Sequence, residues 1–206
     1  MKRFFLLFII VILGTSALAA KYYVDDQTHE FYKRELLNRG WLYGCIPPNW
    51  SLTEPGRGGL GYAVMKNRVD IVELELKAGL DPNDCNMGSS NISEYTMIKK
   101  NAVILDLLLK YGLDINKKSG MYTLLTMAIR YNSPECVKTL IKYNIDVNEE
   151  YKNKYPLNYS IKKNNAEVVK LLLDAGALPN DKSYKLIKRS NNQKIKQLFY
   201  EKFPQE

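Results

Sequence analysis

Apolar residues in this chain fall in short helical blocks, and the blocks themselves recur at long range. Four apolar pairs, Ile71-Val72, Ile104-Leu105, Cys136-Val137 and Val168-Val169, each follow a small residue by eight positions: Ala63, Thr96, Ala128 and Ser160. Twenty positions after each small residue stands an asparagine, Asn83, Asn116, Asn148 and Asn180, spaced 33, 32 and 32 residues apart. One period holds two short helices and a loop, so the pattern predicts a stack of helical hairpins. Asn67, Asn132, Asn164 and Asn191 mark the turn between the helices of a pair. A left-handed backbone is needed there, and asparagine is the best occupant after glycine. The second helices are predicted to stop at Gly79, Gly112, Asn144 and Gly176 through left-handed caps. Leu107-Leu108-Leu109 and Leu171-Leu172-Leu173 are apolar all round, as expected where neighbouring hairpins cover both sides of a helix.

The segments also end alike, in Ala78-Gly79-Leu80-Asp81-Pro82-Asn83, Tyr111-Gly112-Leu113-Asp114-Ile115-Asn116, Tyr143-Asn144-Ile145-Asp146-Val147-Asn148 and Ala175-Gly176-Ala177-Leu178-Pro179-Asn180. In period and in these motifs the chain resembles the ankyrin-repeat family. The family's T-P-L-H-x-A opening is matched only in part, by Thr123-Leu124-Leu125-Thr126-Met127-Ala128 and Tyr155-Pro156-Leu157-Asn158-Tyr159-Ser160 among others. The resemblance implies an all-α solenoid of stacked helix-turn-helix units with short hairpin loops. Repeats are expected at about 52–84, 85–117, 118–149 and 150–181, with a C-terminal cap at 182–199 and a tail at 200–206. Residues 21–51 hold a capping helix, Gln27 to Arg39 stopped by Gly40, and an aromatic, proline-containing insert from Trp41. Glu75 stands where the pattern expects a core leucine. Either the first full repeat tolerates it, or it touches the N-terminal segment.

The first twenty residues read differently. Lys2 and Arg3 precede an apolar run from Phe4 to Leu13, and Ala17-Leu18-Ala19-Ala20 follows, which is the form of a secretory signal cleaved after Ala19 or Ala20. The run is about half the roughly 20 residues that span a bilayer. The expected location is therefore periplasmic or extracellular, with membrane contact only through the signal before cleavage. An oxidising compartment permits disulfides. Of three cysteines, Cys45 and Cys85 fall in loops and Cys136 on the apolar face of a helix, so the economical expectation is a Cys45–Cys85 bridge with Cys136 buried.

Candidate chemistry is sparse. His29 is the one histidine, there is no C-x-x-C, and no nucleophile elbow, P-loop, dinucleotide fingerprint or zinc-protease motif occurs, so no enzyme, metal or cofactor is expected. His29, beside Glu30, reads as a surface residue. The net charge of +8 favours acidic partners. Ankyrin-type stacks are known for binding proteins on a concave face of hairpin tips and first helices, and the resemblance places Arg57, Met65, Lys66, Ser90, Ile98 and Lys99 there. It adds Tyr122, Arg130, Tyr131, Tyr151, Lys152, Lys154, Lys162, Lys163 and Arg189. This set is basic and rich in tyrosine, residue types that carry much interface energy. The expected function is protein–protein binding to an acidic partner, as an envelope immunity protein, inhibitor or scaffold. The alternatives are a binder of an anionic surface or nucleic acid, against which export argues, and an enzyme using the N-terminal insert. Tyr62, Tyr95 and Tyr159 precede the small residues by one and read as packing residues.

Overall fold

The computed structural model describes residues 26–41, 44, 59–87 and 90–204. The signal-like segment, most of the aromatic insert, Cys45 and Arg57 lie outside the described residues. Among the described residues, five helical hairpins follow a single helix. Helix α1 (Asp26–Asn38) leads; α2 (Leu60–Met65) and α3 (Val69–Lys77) form the first hairpin. Then come α4 (Ile92–Ile98) with α5 (Ala102–Lys110), α6 (Leu124–Arg130) with α7 (Pro134–Lys142), and α8 (Pro156–Lys162) with α9 (Ala166–Asp174). The last pair is α10 (Asp181–Arg189) with α11 (Gln193–Lys202). Between hairpins the chain turns back in two-residue antiparallel ladders, β1 (Asn86–Met87) with β2 (Ser90–Asn91) and β3 (Lys118–Ser119) with β4 (Tyr122–Thr123), and in a single bridge, Tyr151 to Lys154. The predicted solenoid of helix-turn-helix units with short hairpin loops is what forms.

Two layers result. Each first helix packs on the first helix of the next hairpin, and the second helices form a parallel row beginning with α1 against α3. Both rows bury their facing sides, so one core runs the length of the stack through Leu60, Ile71, Ile104, Leu108, Leu125, Val137, Leu140, Val168, Leu172, Ile187 and Phe199. Leu108 and Leu172 are fully enclosed. In a repeat stack such neighbour contacts supply most of the stability, since helices of six to ten residues do not persist alone.

The period has a backbone explanation. The carbonyl of each small residue accepts the hydrogen bond that closes the turn: Arg68 N–H to Ala63 O at 2.8 Å, Asn101 to Thr96 at 3.0 Å, Ser133 to Ala128 at 3.0 Å and Asn165 to Ser160 at 3.3 Å. The residue before each donor is left-handed, with φ of 58° at Asn67, 53° at Asn132 and 57° at Asn164. Lys100 takes the same conformation in the second repeat, at φ 53°. Asn191 does not, which corrects the expectation for the cap. There Ser190 is extended and its Oγ accepts from the Asn192 N–H at 3.2 Å, so a side chain closes the turn. The second helices end as predicted, with positive φ at Gly79, Gly112, Asn144 and Gly176.

Asparagine also caps the second helices. Asn101, Asn165 and Asn192 accept from the N–H three residues on, at 2.9, 3.0 and 3.2 Å. Each also donates its side-chain amide to the turn asparagine of the preceding hairpin: Asn101 to Asn67, Asn165 to Asn132 and Asn192 to Asn164. A second rung runs from the loop asparagines. Asn83 and Asn148 bond the carbonyls of Gly112 and Gly176 and accept from the N–H groups of Asp114 and Leu178.

At the N-terminal end, Glu75 is fully buried and its Oε2 accepts the Gly44 N–H at 3.2 Å, while the Leu60 N–H donates to the Gly44 carbonyl at 2.9 Å. Of the two sequence readings, contact with the N-terminal segment holds. His29 corrects another expectation: it is half-buried, because α1 lies on α3. A side chain at Gly79 would come within 2.9 Å of the imidazole. Cys136 is a free, fully buried thiol whose pKa burial pushes up. Cys85 is buried.

Candidate binding face

The tips and first helices form one continuous face, and its C-terminal half is built from tyrosines under cations. In the tip before α8, Lys152 and Asn153 are both left-handed, with φ of 48° and 64°, and Tyr151 and Lys154 exchange backbone hydrogen bonds of 3.3 and 3.0 Å. That is the tight hairpin geometry in which two central residues must have positive φ. It brings the Lys152 Nζ to the Gly120 carbonyl at 3.1 Å and leaves Lys154 over the Tyr122 ring at 4.9 Å. Arg130, at the end of α6, covers the same ring at 4.6 Å and Tyr131 at 5.6 Å. Tyr122 and Tyr159 lie 6.3 Å apart, and Lys163 stands 5.6 Å from the latter ring. Each such exposed cation–ring contact contributes about 0.5–1 kcal/mol and holds the cation without neutralising it.

Carboxylates are scarce on this side. Glu149 is taken by Lys118 at 2.6 Å, and Glu94 accepts the Tyr131 hydroxyl at 2.9 Å. Among the described residues no carboxylate lies within ion-pairing distance of Arg130, Lys152, Lys154, Lys162, Lys163, Lys182 or Arg189. Three of the phenols are held protonated: burial raises the pKa of Tyr131 and of Tyr159, and the hydrogen bond to Glu150 raises that of Tyr155. They serve as neutral donors.

Three shallow hollows indent this half. One of about 330 Å³ is walled by Lys152, Lys154, Lys162 and Lys182 with Tyr155 and Tyr159. Its floor is Asn158, held by Asn180 at 3.0 Å and Ser183 at 2.6 Å. A second, about 530 Å³, lies between α6 and α8 beside Arg130 and Lys163; a third, about 580 Å³, lies between α8 and α10 beside Lys162 and Arg189. Among the described residues, Glu167 is the one carboxylate lining any of the three.

Of the residues proposed from sequence, Tyr122, Arg130, Tyr131, Tyr151, Lys152, Lys154, Lys162, Lys163 and Arg189 come together here. Lys66 is exposed over the Tyr62 ring at 5.3 Å in the first hairpin, and Lys99 is exposed in the second, apart from this cluster. Lys182 was missed. The Asn158–Asn180 bond brings the start of α10, and Lys182 with it, beside the tip of the fourth repeat. Tyr62 and Tyr159 are half-buried against the core, Tyr62 5.7 Å from Trp41. Among the described residues no cluster of three or more His, Cys, Asp or Glu could hold a metal, and no helix is long and apolar enough to cross a membrane.

Comparison with known proteins places this arrangement. Residues 95–183 match the family model described as Ankyrin repeats (3 copies). No curated protein matches the chain. Among solved structures, the human ASB11 ankyrin repeat domain is similar at 18% identity and a TM-score of 0.64, covering 86% of this chain and 84% of that one. The ankyrin repeat domain of Bcl-3, a member of the IkappaB protein family, is similar at 22% identity and a TM-score of 0.58, covering 69% of this chain and 67% of that one. Residues 95–183 thus match the ankyrin-repeat model, and the chain folds as an ankyrin-repeat stack.

Proposed function

We propose that this is an exported protein-binding module that takes an acidic protein surface on the tips and first helices of its C-terminal half. Ankyrin repeats suggest protein–protein binding. What supports the acidic partner is one observation: seven cations, Arg130, Lys152, Lys154, Lys162, Lys163, Lys182 and Arg189, share that face without carboxylate partners and alternate with uncharged tyrosines. Charge so arranged raises the association rate with an acidic surface, and the half-buried tyrosines supply contact area at little entropic cost. The signal-like segment at 1–20 supports action in the periplasm or outside the cell, where a small protein without catalytic motifs suits the role of immunity protein, inhibitor or scaffold. A Cys45–Cys85 bridge would tie the aromatic insert to the first repeat's exit loop.

The experiment is capture from an envelope extract of the source cell, with the wild type and with Lys152, Lys154, Lys162 and Lys163 all changed to Glu. The wild type is expected to recover one partner in stoichiometric amount, and the variant to lose it while melting normally. Capture that persists in the variant puts the interface elsewhere. Binding that collapses between 50 and 200 mM salt, about the range over which phosphate contacts lose a thousandfold or more, points instead to nucleic acid or another polyanion.

A further inference from the structure

The last residue of every first helix occupies one structural position, three residues before the residue that caps the second helix. It is Met65 before Arg68, Ile98 before Asn101, Arg130 before Ser133, Lys162 before Asn165 and Arg189 before Asn192. Read down the stack, this column is apolar for two hairpins and cationic for three. Ile98 is 43% exposed, and Arg130, Lys162 and Arg189 are all exposed. One of the two larger hollows lies beside Arg130 and is lined by Asn132, Asn164, Lys163 and Glu167; the other lies between Lys162 and Arg189 and is lined by Asn164, Asn191 and Asn192. The column therefore presents one cation per repeat over its last three hairpins, with a hollow beside each neighbouring pair of hairpins.

Helices packed side by side are about 8–10 Å apart, and an extended chain in the polyproline II conformation advances about 3.1 Å per residue with about three residues per turn. Three residues of such a segment thus match one repeat and bring the side chain back to the same side. We propose that the column reads an extended acidic peptide segment whose carboxylates recur at every third residue, facing Arg130, Lys162 and Arg189 in turn. An apolar side chain three residues beyond the Arg130 partner meets Ile98, and the intervening residues sit over the hollows. This rests on the reading that the face binds an acidic protein, and it names the chemical pattern the partner carries. The acid is a carboxylate rather than a polyphosphate. The three cations stand one repeat apart, whereas the charges of a polyphosphate lie closer together than one repeat.

The test uses the full mature chain and three 14-residue fluorescent peptides on a Gly/Ser/Thr background, measured by anisotropy at 150 mM salt. One carries three Asp at every third position and Leu at the next third position; one has the same composition with the Asp adjacent; one replaces every Asp by Asn. Each exposed ion pair alters affinity about threefold, so two pairs lost to wrong spacing give about tenfold. The spaced peptide, in one of its two orientations, is expected to bind at least tenfold more tightly than the clustered one. Arg130→Ala, Lys162→Ala and Arg189→Ala are each expected to weaken the spaced peptide about threefold and leave the Asn peptide unchanged. Equal binding of the spaced and clustered peptides, no binding of either, or tighter competition by inorganic tripolyphosphate than by the spaced peptide overturns the register. The reading beneath it is judged separately, by whether the fourfold Lys-to-Glu variant still captures the whole partner.

Discussion

The side-chain amide of Asn192 donates to the Oδ1 of Asn164 across 2.9 Å, tying the start of one second helix to the left-handed turn of the hairpin before it. Asn164 therefore has two functions, one in its backbone at φ 57° and one in its amide. They can be separated. Asn164→Gly keeps the backbone and loses the rung, and is expected to cost about 0.5–1 kcal/mol. Asn164→Ala loses both and is expected to cost about 2 kcal/mol. Urea titration of the two variants checks the order; an alanine variant as stable as the glycine variant would remove the backbone half of the explanation.

The same ladder is broken at one rung. Lys100 holds the left-handed turn of the second repeat, and the residue opposite is Ser133, whose buried Oγ has no oxygen or nitrogen partner. The Cys136 thiol beside it is a weak acceptor. Lys100→Asn relieves the backbone and provides an acceptor, so the variant is expected to gain about 1 kcal/mol. Thermal unfolding measures it, and a lower midpoint would contradict the rung.

Glu75 predicts a pH dependence. Burial raises its pKa from 4.5 to about 7, against the smaller opposing pull of the Gly44 N–H. No charged group among the described residues offsets that burial, and its Oε1 has no hydrogen-bond partner. A carboxyl with a raised folded pKa favours the folded state most below its unfolded value and loses that advantage as pH rises through the folded one. Wild-type stability is thus expected to fall between pH 4.5 and pH 7 by up to about 3 kcal/mol from this group. Glu75→Gln should flatten that part of the profile, exceeding the wild type at pH 8 and not at pH 4. Parallel profiles for the two proteins would show that Glu75 does not ionise within the window.

The Cys45–Cys85 pairing is checked by mass. The mature chain is expected to weigh two hydrogens less before reduction than after, with Cys136 unreactive until unfolding. Closing a loop of that size stabilises by roughly 3–4 kcal/mol, so reduction should lower the melting temperature markedly. An unchanged mass on reduction would leave Cys85 buried for packing alone.

Much of this molecule was legible in the chain because a repeat states each rule several times. The small residue, the turn asparagine and the glycine stop are each tied to a particular backbone bond, so Ala128, Asn132 and Gly112 could be assigned before any coordinates. Where a position occurs once, the signal fails. Glu75 is explained by a backbone N–H at Gly44, in a stretch with no period, and His29 by the glycine it covers. Asn191 looked like its three equivalents but is replaced in its role by Ser190, because a cap has no following repeat to hold its turn. Lys182 was hidden for the same reason: surface lysines of a cap look alike until Asn158 and Asn180 bring one of them to the face. The cation column was visible residue by residue, but its spacing became meaningful only once the last residues of α6, α8 and α10 were known to be equivalent.

The central claim, that the basic face of tips and first helices is where the partner sits, is tested most directly by lysine acetylation of the free protein and of its captured complex. Lys152, Lys154, Lys162, Lys163 and Lys182 are expected to lose most of their reactivity on binding, while Lys138, Lys142 and Lys170, exposed on the second helices, keep theirs. Protection of the second-helix lysines with the first group still reactive would contradict the account.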